Sequence, residues 1–228
     1  MKVNRRHGWK VTTAGARALQ TELAGEVLHT GDIDSPRYIA GVDISVNRWA
    51  KTGTGAVVVL NYPALDVAEV EVVTDRVEMP YIPGLLSFRE MPLLLAACEK
   101  LSIKPDLVIV DGQGIAHPRR MGLASHLGLC LDVPTIGCAK SRLCGSHEEP
   151  DAEAGAAAAL FDGEEVIGSV VRTRTGVKPV YVSIGHMVDL PTAVRWTLAC
   201  CRGYRLPEPT RLAHQAAGGH LSAAAGRI

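Results

Sequence analysis

The segment that most constrains the fold is KPDLVIVDGQGIAHPRRMGLASHLG, residues 104–128. It opens with the apolar run LVIV, whose length and β-branched content predict a fully buried strand. The run ends on Asp111, a glycine-rich loop follows, and residues 120–131 form an amphipathic stretch that predicts a helix. In α/β folds ligands bind outside the carboxyl ends of the strands, so an acid at such an end is a candidate site residue. For an isolated Asp-Gly a turn would be the better explanation, but here the acid ends an apolar strand and the basic cluster HPRR follows, which favours a site.

The remainder of the chain predicts a three-strand antiparallel meander, a parallel extension and flanking helices. Strands are predicted over residues 38–45, 56–60, 67–77, 107–110 and 135–139, and helices over 13–27, 87–101, 120–131, 189–201 and 210–217. Thr13 is a candidate helix cap, and residues 51–55 are predicted to form a turn. A hairpin is predicted over residues 166–174 and 179–184. An irregular excursion is predicted over residues 145–163, and a loose tail over residues 218–228. The predicted fold class is therefore α/β, with a mixed sheet flanked by helices in one domain over 1–228.

Composition limits the possible partners and location. Lys plus Arg and Asp plus Glu number 24 each, so the net charge is zero and nucleic-acid binding would need a local basic patch. The six cysteines form no C-x-x-C pair, which favours small buried side chains in a reducing compartment over a zinc site or disulfides. Neither a signal-peptide pattern nor a run of about 20 apolar residues is present. We expect a cytoplasmic protein without a membrane partner.

Three carboxylates stand out because of where they fall in the predicted elements. Asp43 interrupts the strand YIAGVDIS, where it is either a buried acid that needs a partner or a surface-facing residue of an alternating strand. Glu90 completes the S-x-x-E pattern that begins at Ser87, so taken alone it indicates a helix capping box. If the two strands are neighbours, these acids converge with Asp111. Three hard oxygen ligands suit Mg²⁺ or Mn²⁺ better than zinc, and clustered like charges demand a cation.

Two further polar residues and one loop are candidates. Lys140 follows the strand PTIGCA at the same end of the sheet and could stabilise charge on a phosphate, although a solvated lysine is commoner. His214 lies in the last predicted helix, where a lone histidine is more often structural. The loop PYIPG, residues 80–84, is stiffened by two prolines and carries an exposed Tyr81.

Together these motifs resemble the endonuclease V family, the deoxyinosine-directed repair nucleases with a ribonuclease H-like fold. The matching segments are IAGVDIS, PYIPGLLSFRE, PDLVIVDGQGIAHPRRMGLASHLG, PTIGCAKSRL, GSVVRTRTGVKPVYVSIGH and GYRLPEPTRLAH. They extend from about residue 38 to 214. PYIPG before a helix, combined with VDG-x-G-x-x-H-P-R and the final RLAH, is far more specific than any single acid.

The resemblance implies a role for each matching residue. The catalytic set would be Asp43, Glu90, Asp111, Lys140 and His214. Of these, the three acids would bind the metal, His214 would complete or polarise the metal site, and Lys140 would lie near the scissile phosphate or the attacking water.

The resemblance also implies a wedge and a base pocket. The DNA wedge would be Tyr81, supported by Pro80, Ile82 and Pro83. The pocket for the flipped lesion base would consist of Gly84, Leu85, Gly112, Gly114, His117, Gly122 and Leu123. Candidate groove residues for the phosphate backbone are Arg89, Arg119, Arg120, Lys140, Arg142, Arg172, Arg174 and Lys178.

The activity implied by the resemblance is hydrolysis of the second phosphodiester bond 3′ to deoxyinosine, leaving 3′-hydroxyl and 5′-phosphate ends. Mg²⁺ would be the cofactor, with Mn²⁺ able to replace it, and the protein would act as a monomer on DNA. Three alternatives remain open: an inosine-specific endoribonuclease with the same site, a non-catalytic lesion-binding module, and a hydrolase of small phosphate esters. The last gives PYIPG no role.

Overall fold

The computed structural model describes residues 1–47 and 49–221 of the chain. Within these residues the strands are β1 Tyr38–Asn47, β2 Thr52–Asn61, β3 Asp66–Arg76, β4 Leu107–Val110, β5 Thr135–Ala139, β6 Ala157–Asp162, β7 Glu165–Val171 and β8 Val180–His186. The helices are α1 Thr13–Ala24, α2 Leu86–Lys100, α3 Leu123–Leu131, α4 Leu190–Ala199 and α5 Glu208–Ala217.

All these strands join one mixed sheet in the order β3-β2-β1-β4-β5-β8-β7-β6. The first three strands form an antiparallel meander, and β4 and β5 continue the sheet parallel to β1. Beyond β5, strands β8, β7 and β6 pair antiparallel in turn. The predicted meander with a parallel extension is therefore confirmed. Because β1, β4 and β5 are neighbouring parallel strands, their carboxyl ends meet at one edge of the sheet.

Helices cover both faces of the sheet and divide the core in two. On one face the strand residues Ala40, Val42, Val108 and Val110 pack with α2 and α3. On the other face Ile39, Ala56, Ile109 and Ile136 pack with α4 and α5. Successive residues of β1 alternate between these two cores, as the two-residue period of a strand requires. The α/β class predicted from sequence is confirmed.

Three predicted boundaries are wrong for local reasons. The cap of α1 is Thr12 rather than Thr13, since the Thr12 side chain accepts a hydrogen bond from the Gly15 amide. The predicted turn 51–55 is mostly strand, because β2 pairs with β1 from Thr52 onward. The helix predicted from residue 120 begins only at Leu123, since the backbone before it does not have a helical conformation.

The predicted irregular segment 145–163 contains the edge strand β6. Its Ala-rich sequence has little intrinsic preference for a strand, so pairing with β7 decides the conformation. Gly163, at a φ of +63°, forms the tight turn that allows this pairing. The predicted hairpin of β7 and β8 is confirmed.

Outside the sheet, three observations bear on the remaining expectations. All six cysteines are free thiols. In the described part of the chain no helix is both long enough and apolar enough to cross a membrane. The predicted loose tail begins at Gly218, which caps α5, and residues 222–228 lie outside the described residues.

Candidate active site

Asp43 and Asp111 are brought together by the register of the two central strands. Val42 of β1 pairs with Val110 of β4 in parallel, and each acid is the next residue along its strand. Both carboxylates are largely buried, with side-chain exposures of 13% for Asp43 and 9% for Asp111. The surface-facing alternative for Asp43 is therefore wrong.

Glu90 reaches the same place from α2, and it does so as a buried acid rather than a capping residue. The predicted capping box is wrong, because α2 is capped at Leu85 without any side-chain hydrogen bond and Ser87 lies inside the helix. Burial, followed by the charges of Asp43 and Asp111, raises the pKa of Glu90 to about 8. Glu90 therefore keeps its proton at neutral pH until a cation compensates its charge.

Lys140 and His214 each contact one of the two strand acids. Lys140, directly after β5, places its Nζ 2.5 Å from Asp111 Oδ2. Burial raises the pKa of Asp111 even though this ion pair opposes the shift. His214 on α5 donates from Nδ1 to Asp43 Oδ2 at 2.6 Å. All five predicted catalytic residues thus belong to one cluster at the carboxyl edge of the sheet.

The donor set of this cluster fits a hard cation. Among residues 1–47 and 49–221, no three His, Cys, Asp or Glu side chains have the arrangement of a formed metal site. Instead, Lys140 and His214 contact Asp111 and Asp43, and burial keeps Glu90 protonated. Three buried carboxyl groups that repel one another provide the oxygen ligands that Mg²⁺ and Mn²⁺ prefer. A divalent cation would replace the proton on Glu90 and the ammonium on Asp111 as the compensating charge.

A cavity of about 280 Å³ opens beside the acids, between the PYIPG loop and the loop that follows β4. Its lining contains Tyr81, Gly84, Asp111, Gly112, His117, Gly122, Leu123 and Lys140. Two predicted pocket residues lie outside the lining. Leu85 is buried in a cluster with Ala16 and Phe88, and Gly114 packs against the Ile184 carbonyl.

The Gly84 carbonyl is the anchor of the PYIPG loop. It accepts hydrogen bonds from Gln20 Nε2 at 3.0 Å, from His117 Nε2 at 3.0 Å and from Arg119 Nη2 at 2.8 Å. The Arg119 amide donates to His117 Nδ1, so the ring is a neutral donor at Nε2. Burial lowers the pKa of His117 to about 4, consistent with this neutral form. Gly84 has a φ of +75°, which a residue with a side chain adopts only with strain.

Of the four predicted wedge residues, Tyr81 lines the cavity. Tyr81 is 62% exposed, and Pro80 and Pro83 are also exposed. Ile82 is half-buried and packs against the apolar cluster of Ala16, Leu85 and Phe88. The Arg89 guanidinium lies 6.0 Å from the centre of the Tyr81 ring.

Two of the basic groove candidates have structural roles instead. Arg172 is buried and donates to Glu149 and to three backbone carbonyls. Arg120 forms ion pairs with Asp162 and Glu165. Neither guanidinium is available for a phosphate without breaking these contacts.

Similarity to known proteins agrees with this geometry. The family model for endonuclease V matches residues 21–215. The chain belongs to the endonuclease V family. It is 56% identical to endonuclease V of Gloeobacter violaceus over 91% of this chain and 86% of that protein.

Solved structures of the family superpose on most of the chain. Endonuclease V of Streptomyces avermitilis is 43% identical, with a TM-score of 0.88 over 96% of this chain and 97% of that one. Endonuclease V of Ciona intestinalis, in complex with a 23mer DNA containing an inosine followed by a ribo-adenosine, is 26% identical. Its TM-score is 0.78 over 92% of this chain and 98% of that one. The protein is accordingly a nuclease.

Sequence reasoning missed several residues that line the cavity. They are Gln20, Leu86, Ser87, Gln113, Ala139, Ser141, Arg142 and Leu143. Of these residues, only Gln20 could have been found from a pattern in the sequence. It occupies the apolar stripe of α1 between Ala16 and Leu23, and a polar residue on a buried helix face must find partners.

The raised pKa of Glu90 gives a stability prediction for the metal-free protein. At pH values between the ordinary pKa of 4.5 and the folded pKa of about 8, Glu90 is ionised in the unfolded chain but protonated in the folded protein. Rising pH therefore lowers the free energy of unfolding across this window. We expect Glu90→Gln to raise it on the order of 2–4 kcal/mol at pH 9 and hardly at all at pH 4.5.

Urea unfolding with EDTA at both pH values measures this effect. The control is Glu99→Gln, an exposed glutamate of the same helix, which is expected to change the free energy of unfolding by less than about 0.5 kcal/mol. A Glu90→Gln protein that is less stable than wild type at pH 9 would contradict the assigned burial and repulsion.

Proposed function

We propose that the protein recognises deoxyinosine in DNA and hydrolyses the second phosphodiester bond on its 3′ side in a Mg²⁺-dependent reaction. The observation that carries this proposal is the acid cluster beside a glycine-lined cavity. The inosine-containing DNA bound by the Ciona relative supports the substrate. DNA repair is the biological process that such an activity serves.

Asp43, Glu90 and Asp111 are the residues that would hold the metal. His214 would complete this site, since donation from its Nδ1 to Asp43 leaves Nε2 with a free lone pair. When bound, Mg²⁺ supplies Lewis-acid activation of water and compensates charge on the phosphate; Mn²⁺ has the same ligand preference.

The bond changes follow from the proposed products. A water oxygen adds to phosphorus, the bond between phosphorus and O3′ breaks, and O3′ takes up a proton to become the 3′-hydroxyl. The phosphate stays on the 5′ end of the downstream fragment. Lys140, once released from Asp111, carries a positive charge at the cavity rim, where it would stabilise the additional negative charge of the transition state.

The cavity would hold the base after it leaves the helical stack. A flipped base must enter a pocket lined by polar backbone and flat surfaces, and weakly paired bases are extruded most easily. Hypoxanthine has O6 where adenine has an amino group, and it lacks the 2-amino group of guanine. A narrow pocket whose backbone N–H groups face O6 can therefore accept hypoxanthine and reject both other bases. Tyr81, exposed at the cavity mouth, would fill the gap that the base leaves.

Cleavage of inosine in RNA is the second candidate activity. One observation favours it, since the DNA bound by the Ciona relative has a ribo-adenosine after the inosine. A requirement for RNA would show as dependence on 2′-hydroxyl groups around the cut. The same catalytic residues would serve both activities.

A set of matched, end-labelled oligonucleotides tests the proposal. The duplexes carry deoxyinosine, ribo-inosine or deoxyadenosine at one position and are incubated with Mg²⁺. We expect a nick one nucleotide beyond deoxyinosine and none in the deoxyadenosine duplex. Cleavage of the ribo-inosine strand alone would show that the substrate is RNA rather than DNA. Tight binding without cleavage in Mg²⁺ or Mn²⁺ would favour a lesion-binding module.

A further inference from the structure

Gln20 connects the two walls of the cavity, although it lies on α1, far from the family motifs in the sequence. The first wall is residues 81–87, from the PYIPG loop into α2, and the second wall is residues 117–123, before and into α3. Gln20 Nε2 donates to the Gly84 carbonyl of the first wall and to the Met121 carbonyl of the second, each at 3.0 Å. Its amide therefore spans the gap between the walls.

The amide of Gln20 has a complete set of partners in one orientation. Its Oε1 accepts a hydrogen bond from Arg119 Nε at 2.7 Å, while both N–H groups point at carbonyl oxygens. A flipped amide would set an oxygen against two carbonyls and an N–H group against a guanidinium. With 1% of its surface exposed, Gln20 cannot replace these contacts with water.

The two carbonyls that bind Gln20 lie at or next to glycines that are closely packed against the opposite part of the site. The residue after Met121 is Gly122, where a Cβ would lie 2.3 Å from the Gln113 carbonyl oxygen. At Gly84 a Cβ would lie 3.1 Å from Arg119 Nη2. Both glycines line the cavity, so the Gln20 side chain, together with the direct hydrogen bonds from His117 and Arg119 to the Gly84 carbonyl, sets how far apart the lining surfaces stand.

We propose that Gln20 is a specificity-determining positioning residue that fixes the separation of the two walls and thereby admits a 6-oxopurine that has no substituent at C2. This inference rests on the proposed function, because it assigns the cavity to the flipped base. A leucine at position 20 fills the same space but makes none of the three hydrogen bonds. The two walls then separate, and the cavity rejects guanine, which has an amino group at C2, less strongly.

Three duplexes test the role of Gln20. They are identical except for one nucleotide, which is deoxyinosine, deoxyguanosine in the same mismatch, or an abasic analogue without a base. Single-turnover nicking rates are measured with Mg²⁺ for the wild type and for Gln20→Leu. We expect the inosine-to-abasic and inosine-to-guanosine rate ratios both to fall by about tenfold or more in Gln20→Leu.

Two more variants separate positioning from general loss of structure. Leu23→Val loosens the same helix without touching the hydrogen bonds and should change all three rates equally. Arg119→Met removes the partner of Gln20 Oε1 from a half-exposed position and should lower the same two ratios, which keeps the inference testable if Gln20→Leu does not fold.

The outcomes distinguish this inference from the function on which it rests. If the wild type nicks the inosine duplex and both ratios are unchanged in Gln20→Leu and Arg119→Met, the positioning role is wrong and the nuclease assignment stands. If the wild type does not nick the inosine duplex, the proposed function fails and the positioning role fails with it.

Discussion

Asp111→Asn is expected to lower the rate of nicking at deoxyinosine by about a thousandfold or more while the protein still binds the duplex. Asn has the shape of Asp but lacks the negative charge that holds a cation. The buried position at the end of β4 means that no water-exposed acid can replace it. Single-turnover cleavage together with a binding titration separates the lost chemistry from binding.

The control for this substitution is Asp132→Asn. Asp132 is exposed at the end of α3 and has a left-handed backbone conformation that Asn also adopts readily. It should nick the inosine duplex at the wild-type rate. An Asp111→Asn protein within about tenfold of the wild-type rate would show that Asp111 is not a metal ligand in the reaction.

Gly41→Ala is expected to damage both stability and activity. A Cβ on Gly41 of β1 would lie 1.9 Å from the Pro209 carbonyl oxygen and 2.7 Å from the Thr210 amide nitrogen. Both are backbone atoms in the first turn of α5, so the helix itself must move. Since α5 carries His214, the 2.6 Å contact with Asp43 would be lost as well.

We expect Gly41→Ala to lower the free energy of unfolding by about 3 kcal/mol and the nicking rate by about a hundredfold. Urea unfolding and cleavage assays well below the unfolding midpoint measure the two effects separately. Gly25→Ala serves as the matched glycine control, because a Cβ there meets its nearest atom at 3.7 Å and the backbone is right-handed helical. An active Gly41→Ala protein of wild-type stability would contradict the assigned packing of α5 on β1.

The position of the acid cluster could be predicted because strands deliver side chains to the edge of a sheet. Asp111 ends a continuous apolar run, and such runs end at the edge where α/β folds place their sites. The capping-box pattern at Ser87 gave a wrong interpretation of Glu90, because local spacing does not reveal that the helix begins one residue earlier at Leu86. Only the parallel register of Val42 with Val110 determines that Asp43 and Asp111 stand side by side.

Features that depend on distant contacts were not predictable from local pattern. Strand β6 exists because β7 pairs with it, not because Ala-rich sequence prefers a strand. Arg172 is buried because it donates to carbonyls of a separate loop. Its own sequence segment does not show these contacts, so the sequence alone makes it a candidate for a DNA groove. Gln20 contacts Gly84 and Met121, which are 64 and 101 residues away in the sequence, and no motif connects them.

The most direct test of the central claim is the nicking rate of a deoxyinosine duplex as Mg²⁺ is added back to EDTA-treated protein. The account predicts no nick without metal and a rate that rises to saturation with Mg²⁺, with the cut one nucleotide beyond the lesion. Cleavage at the full rate in EDTA would contradict it, because Asp43, Glu90 and Asp111 would then have no cation to hold.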